Sequence, residues 1–221
     1  MNWADERVAL LFGGLGSEAD VSRDGKQNVA QAMREIGIEP IEIDIKDGLL
    51  EPLMAANPTR VFNLVHGRPG EDGVLQGLLC ALGIPFTGSG VGASALALDK
   101  PRTKQVWESL GLPTAPMVVV NDLEQADICV KRLGPELFVK PAHEGSSVGA
   151  HVVHGHDQLK VAIEDALKHD TRVLVEPLLP GPELTVGVVR GLALPVIRIR
   201  PSSEFYDYKA NQNLYLSHKL E

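Results

Sequence analysis

Arg7 to Phe12 is an apolar stretch that stops at Gly13-Gly14, the profile of a short buried strand closed by a turn. Val29, Ala32, Met33 and Ile36 then recur at helical spacing, and Gly37 ends that helix. Ile41, Ile43 and Ile45 alternate with Glu42 and Asp44, which predicts a strand burying one face. Val61 to Val65 is a further apolar run, followed by a polar loop, His66 to Asp72, and a helix carrying Val74, Leu75, Leu78, Leu79 and Leu82 on one side. Strands and helices joined by short links predict an open, parallel α/β sheet. Ligands of such sheets lie beyond the carboxyl ends of the strands, so loops 13–17 and 66–73 are expected to open on one edge.

The texture changes near residue 90. Ser94 to Leu98 is small and apolar, and Asp99-Lys100-Pro101 follows. Proline at a first helical position restrains its predecessor, so Lys100 is placed at a junction and Arg102 to Gly111 in a helix. Asn121 with Glu124 reads as a capping box for a helix running to about Leu133. Leu137 to Lys140 is a strand entering the loop His143-Glu144-Gly145-Ser146-Ser147-Val148-Gly149. A strand to about His154, a helix from Leu159 to Leu167 and a strand Val173 to Val175 come next, then two hairpin-like strands, Glu183 to Arg190 and Leu194 to Arg200. Little chain remains to cover that hairpin, and the expectation is of a fragment, a truncation or a fused remnant.

With 221 residues, 44% of them apolar and 23% charged, the chain can bury a core and amounts to one and a half to two domains. A net charge of −8 argues against nucleic-acid and anionic-membrane partners, but leaves room for a local site for a small phosphorylated ligand. Cys80 and Cys129 lie in apolar stretches and read as buried free thiols suited to a reducing cytosol. No apolar run approaches the ~18 residues of a membrane span, and Asp5 and Glu6 speak against a secretory signal.

Gly14-Leu15-Gly16-Ser17-Glu18-Ala19 fits a loose dinucleotide fingerprint, G-x-G-x-x-A. The fit is poor, because the nearest candidate ribose acid, Asp44, lies about 30 residues on and Glu18 would repel a pyrophosphate. Glu18 reads better as an acid offered to a cationic ligand, or as a helix-start acid favouring the dipole. Glycine density in His66-Gly67-Arg68-Pro69-Gly70-Glu71-Asp72-Gly73 permits close backbone approach to a ligand, although a solvated connector is the plain alternative. Lys140 at a strand end before loop 145–149, with its amides and hydroxyls, suits phosphate, without the Gly-Lys-Ser/Thr of a Walker A loop. Glu176 and Glu183 flank the proline-rich Pro177 to Pro182, either as ribose ligands or around a hinge. His151 and His154 face opposite sides of a strand, which favours a strand end over a metal site for them and His156.

Together these segments resemble the D-alanine–D-alanine ligases of the ATP-grasp superfamily, from about Val8 to Ala210. The resemblance rests on Leu11-Phe12-Gly13-Gly14 with Ser17-Glu18 and Val21-Ser22, on His66-Gly67 with Gly70-Glu71-Asp72-Gly73 and Gln76-Gly77, and on Phe86-Thr87-Gly88-Ser89-Gly90 leading to Asp99-Lys100. Val139-Lys140-Pro141, Glu144 to Gly149, Gly181-Pro182-Glu183 and Phe205 to Ala210 complete it.

The resemblance implies an N-terminal open parallel α/β (pre-ATP-grasp) domain over 1–95 that binds substrate. An α+β ATP-grasp domain would follow, its small central part over 96–180 and an incomplete C-terminal part over 181–221. It implies that ATP phosphorylates the carboxylate of one D-alanine and that the amine of a second attacks the acyl phosphate, chemistry that depends on positioning and charge neutralisation. By the same resemblance Lys100 and Lys140 hold ATP phosphates while the Gly/Ser loop, with Glu144 and Ser147, closes over them. Glu176, Leu179 and Glu183 line the adenosine pocket, Glu183 on the ribose. Glu18 binds the ammonium of the first D-alanine, Ser146 fixes Glu18 and orients the substrates, and His66 stands near the reacting carboxylate.

Several family features have no counterpart here. The magnesium ligands, an Arg for the acyl phosphate and the Ser–Leu grip on the second D-alanine are missing, Asn211-Gln212 replaces a Lys-aromatic pair, and Pro177 stands where a Lys is usual. The expectation is that the 221-residue chain does not ligate D-alanine although its parent does, Mg2+ ligands lying in a missing portion. A cytoplasmic homodimer in peptidoglycan precursor synthesis is implied, with no nucleic-acid or membrane partner. The alternatives are a D-alanine–D-lactate type ligase, a non-catalytic nucleotide-binding protein and a dinucleotide oxidoreductase.

Overall fold

The computed structural model describes residues 6–16, 18–189 and 191–199. Its contacts divide between Leu110 and Gly111 into two compact units. Residue 95, where the sequence-based first domain ends, lies inside a helix of the first unit.

The first unit runs β1 (Val8–Phe12), α1 (Ala19–Glu35), β2 (Ile41–Asp44), α2 (Leu50–Ala56), β3 (Arg60–Asn63), α3 (Val74–Ala81), α4 (Val91–Leu98) and α5 (Lys100–Ser109). The strands form the expected parallel sheet in the order β2-β1-β3, with Leu11 opposite Ile43 on one side and Asn63 on the other. A parallel bridge from Val61 to Phe86 extends the sheet by one position. Every residue of β1 is buried because the strand has cover on both faces. Ala9 and Leu11 pack with Ile43, Leu53, Val61, Leu75 and Leu79, while Val8, Leu10 and Phe12 pack with Ala30, Met33 and Ile38. Helix α1 ends where Gly37, at φ +83°, lets the Ile38 amide donate back to Met33 O at 2.9 Å, and both side chains join the same core cluster.

The second unit runs β4 (Val118–Val120), α6 (Ala126–Leu133), β5 (Glu136–Pro141), β6 (His151–His154), α7 (His156–Ala166), β7 (Val173–Pro177), and then short strands β8 (Glu183–Thr185), β9 (Val188–Val189), β10 (Leu192–Ala193) and β11 (Ile197–Ile199). An antiparallel sheet in the order β4-β7-β5-β6 carries α6 and α7 on one face. Alternation along β5 sends Leu137 and Val139 into that core, so Phe138 and Lys140 belong to the opposite face.

The structure departs from the sequence expectations in several places. The helix predicted from Arg102 starts at Lys100, because the Asp99 carboxylate caps it by accepting from the Arg102 amide at 3.1 Å. The predicted Asn121/Glu124 box is displaced by one residue. Asp122 accepts from the Gln125 amide at 3.1 Å, and Gln125 Oε1 accepts from the Asn121 amide at 2.9 Å. The two long hairpin strands are each interrupted: β8 pairs with β11 and β9 with β10, and between them the Leu194 amide donates to Gly187 O at 2.8 Å. Cys80 is exposed rather than buried, because α3 turns Leu75, Gln76 and Leu79 inward, and Val74 on the same helix is also exposed.

Candidate functional site

In the first unit the two glycine-bearing loops lie against one another, as strand-end loops on one sheet edge should. The Leu15 amide donates to Arg68 O at 3.3 Å and the His66 amide to Gly13 O at 3.2 Å. Gly14, at φ +155°, comes so close that a Cβ there would sit 2.6 Å from His66 O. The Ser22 hydroxyl of α1 staples the strand ends, accepting from the Gly13 amide at 2.8 Å and donating to Leu64 O at 2.5 Å. Asp44, the acid considered for a dinucleotide ribose, is engaged elsewhere. Its carboxylate receives Arg23 Nε at 2.7 Å and the Lys46 amide at 3.0 Å, and a Cβ on Gly13 would stand 2.4 Å from its Oδ1.

Glu18 occupies the N-cap position of α1 and is 6% exposed. A Cβ on Gly67 would lie 3.5 Å from its Oε2, so the carboxylate reaches the second loop. Glu71, on that loop, has its carboxyl raised above the ordinary range, first by burial and then by the negative charge of Glu18. The side chain still shows solvent a good part of its surface. The His66 ring donates from Nδ1 to Leu64 O at 2.9 Å, which fixes the ring's orientation. His66 and Glu71, with Asn63, Gln76, Ser89 and Ser94, line a cavity of about 310 Å³. Lys100, the phosphate candidate of this unit, is the first residue of α5.

In the second unit, Lys140 Nζ stands 2.6 Å from Glu176 Oε2 and 5.4 Å from the centre of the Phe138 ring. Strand register explains this: Phe138 is opposite Glu176 and Lys140 opposite Leu174, so all share the face turned away from the helices. In the loop after β5, Ser146 and Ser147 both take left-handed backbone, at φ +48° and +60°. Side chains other than glycine adopt that conformation at a cost of about 1–3 kcal/mol each, and such residues gather at ligand sites. The Val148 amide returns to Gly145 O at 3.0 Å and the Ala150 amide to Ser147 O at 3.2 Å, closing two tight turns. Glu144 is half-buried in that loop, while Leu179 lies exposed after β7 and Glu183 exposed at the start of β8.

Lys140 and Glu176 are thus brought together, Glu144, Ser146 and Ser147 share one loop, and Glu18 and His66 sit on adjoining loops of the first unit. Sequence reasoning missed what holds the Gly/Ser loop: Asp170 and Arg172, which meet His143 from 27 and 29 residues away. No local pattern announces a partner at that distance. His151, His154 and His156 pair with three different carboxylates, Asp165, Glu136 and Asp127, and so do not converge. Among the described residues no group of three or more His, Cys, Asp or Glu side chains is arranged to hold a metal ion. Among the same residues no helix is long and apolar enough to cross a membrane.

The family model described as the D-ala D-ala ligase C-terminus matches residues 106–218. The D-alanine–D-alanine ligase of Actinobacillus pleuropneumoniae serotype 5b is 49% identical over 212 residues, covering 95% of this chain and 70% of that protein. The D-alanine–D-alanine ligase of Pseudomonas entomophila is 48% identical over 204 residues, 92% of this chain and 64% of the relative. Among solved structures, the Bacillus anthracis D-alanine–D-alanine ligase superposes with a TM-score of 0.78 at 30% identity, over 93% of this chain and 68% of that one. The chain therefore spans about two thirds of the length of its relatives. A parallel α/β unit followed by an antiparallel sheet with a strand-end lysine and a Gly/Ser loop is the architecture of ATP-grasp proteins. Within that class, the chain belongs to the D-alanine–D-alanine ligase family.

Proposed function

We propose that this chain carries the ATP-binding and first-substrate portions of an ATP-dependent ligase that joins two D-alanine molecules through a D-alanyl phosphate, in peptidoglycan precursor synthesis. The observation that carries the reading is the left-handed pair Ser146-Ser147 in the loop entered from Lys140. Consecutive turned amides form a concave anion site, and the neighbouring ammonium supplies the charge that a triphosphate requires. Lys140 and Lys100 bind ATP phosphates, Glu144 and Ser147 help close the loop over them, and Glu176, Leu179 and Glu183 face the adenosine. Glu18 receives the ammonium of the first D-alanine. Ser146 orients it, and His66 stands near its carboxylate with Nδ1–H already committed to Leu64 O. A cytoplasmic homodimer belongs to the same reading.

The test is ligand-induced thermal stabilisation of the 221-residue chain. ATP at about 100 times its Kd should contribute about 2.7 kcal/mol. Lys140→Ala should cut that contribution to about 0.4–1.4 kcal/mol at the same ATP concentration, and NAD should produce none. Stabilisation by NAD and not by ATP overturns the reading in favour of a dinucleotide protein.

A further inference from the structure

We propose that His143, clamped between Asp170 and Arg172, is the positioning residue that sets the backbone of the Gly/Ser loop. The role of that loop toward ATP rests on the function proposed above. The His143 ring and its own amide both meet one carboxylate oxygen: Nδ1 lies 2.7 Å and the amide N 2.8 Å from Asp170 Oδ2. On the other side of the ring, Arg172 Nη2 is 2.8 Å from Nε2. A guanidinium can only donate, so Nε2 accepts and the ring proton sits on Nδ1, donated to Asp170. This geometry therefore specifies a neutral ring in a single tautomer. The two acid–base side chains are nearly enclosed, His143 at 16% and Asp170 at 10% side-chain exposure.

The clamp is tied to the sheet on the same side, where the Ala142 amide donates to Arg172 O at 3.0 Å and the Arg172 amide to Asp170 Oδ1 at 3.3 Å. The far end of the loop meets the same turn. Gly149, at φ +63°, packs so closely that a Cβ would lie 2.7 Å from His169 Cδ2. One turn, between α7 and β7, thus grips both the residue that opens the loop and the glycine that closes it. Between those grips lie Ser146 and Ser147 in their strained conformation. Such strain persists only where surrounding contacts over-determine the backbone.

The test compares the unsubstituted chain with His143→Ala and His143→Asn. An Asn amide nitrogen falls where Nδ1 stands and can still donate to Asp170. Hydrogen exchange of the amides of residues 145–149, measured without nucleotide, should quicken about tenfold in His143→Ala and return to near the original rate in His143→Asn, with β5 and β7 protection unchanged. ATP affinity should fall about tenfold in His143→Ala and recover in His143→Asn. Two-bond 15N correlation spectra of the unsubstituted chain should show Nδ1 protonated and Nε2 bearing a lone pair. Unaltered loop exchange in His143→Ala, or His143→Asn behaving like His143→Ala, overturns the proposal. If loop exchange responds as expected while no form binds ATP, the clamp stands and the nucleotide reading falls.

Discussion

Lys140 Nζ and Glu176 Oε2 form a 2.6 Å ion pair across β5 and β7, with side-chain exposures of 27% and 10%. Truncating Glu176 removes the carboxylate that pairs with the Lys140 ammonium. Lys140→Ala should weaken ATP binding about 10–100-fold, the worth of one or two charged hydrogen bonds. Glu176→Ala should lower stability by about 1–3 kcal/mol through the stranded ammonium, read from urea unfolding. Equal ATP affinity in Lys140→Ala and the parent chain would remove this lysine from the site.

Ser22→Ala strips one hydroxyl that serves two backbone groups, Gly13 N–H and Leu64 C=O. Both lie at the strand ends that bear the glycine loops. A loss of about 1–3 kcal/mol is expected, visible as a lower denaturant midpoint with an unchanged slope.

Two glycines should respond in opposite directions. At Gly70 an added methyl would stand 2.4 Å from Val65 O and 2.5 Å from Val65 Cβ, so Gly70→Ala forces backbone apart and should cost about 1–3 kcal/mol. Gly77 lies inside α3 with open space where its Cβ would be, and Gly77→Ala should stabilise by about 0.4–1 kcal/mol. Thermal denaturation of both variants checks the pair.

Asp44 is held below the ordinary carboxylate value of 3.8 by the Arg23 hydrogen bond, aided by the Lys46 amide and against the opposing effect of burial. A depressed folded value gives stability that is present above the unfolded value and lost as pH falls through the folded one. Asp44→Asn should therefore be less stable than the parent chain at pH 6. The gap should narrow below about pH 4 and close in stronger acid. A gap that stays constant across this range would contradict the ion-pair account.

Thiol chemistry separates the two cysteines. Cys80 is exposed, whereas Cys129 is buried in the second core with its thiol pushed up to about 11 by burial. Mass spectrometry after brief alkylation of the folded chain should find Cys80 modified and Cys129 intact, with Cys129 reacting only after denaturation.

The parallel sheet of the first unit was legible because β1 is buried on both faces and so reads as an unbroken apolar run. Strand β5 was legible as the apolar run from Leu137 to Lys140, but its alternation, with Leu137 and Val139 in the core and Lys140 on the other face, came from the structure. Helix α2 was not legible, since only Leu53 is buried in it and Met54 is exposed, which leaves no apolar stripe to detect. The long hairpin strands were over-read because the apolar content of residues 183–200 does not reveal where the ladder breaks at Gly187 and Leu194. Of the candidate site, Lys140, Glu18 and the Gly/Ser loop could be picked out by residue type at element ends, whereas Lys100 entered only through the family resemblance. The Lys140–Glu176 pair and the Asp170 clamp depend on antiparallel register and a distant turn, which local spacing does not encode.

The turn from α7 to β7 touches the Gly/Ser loop at two places, His143 and Gly149. Its length is therefore less negotiable than its exposed position suggests. An inserted or deleted residue there would shift both attachment points together, so engineered tags, loop grafts and circular permutation sites in this unit are better placed in the link between β4 and α6.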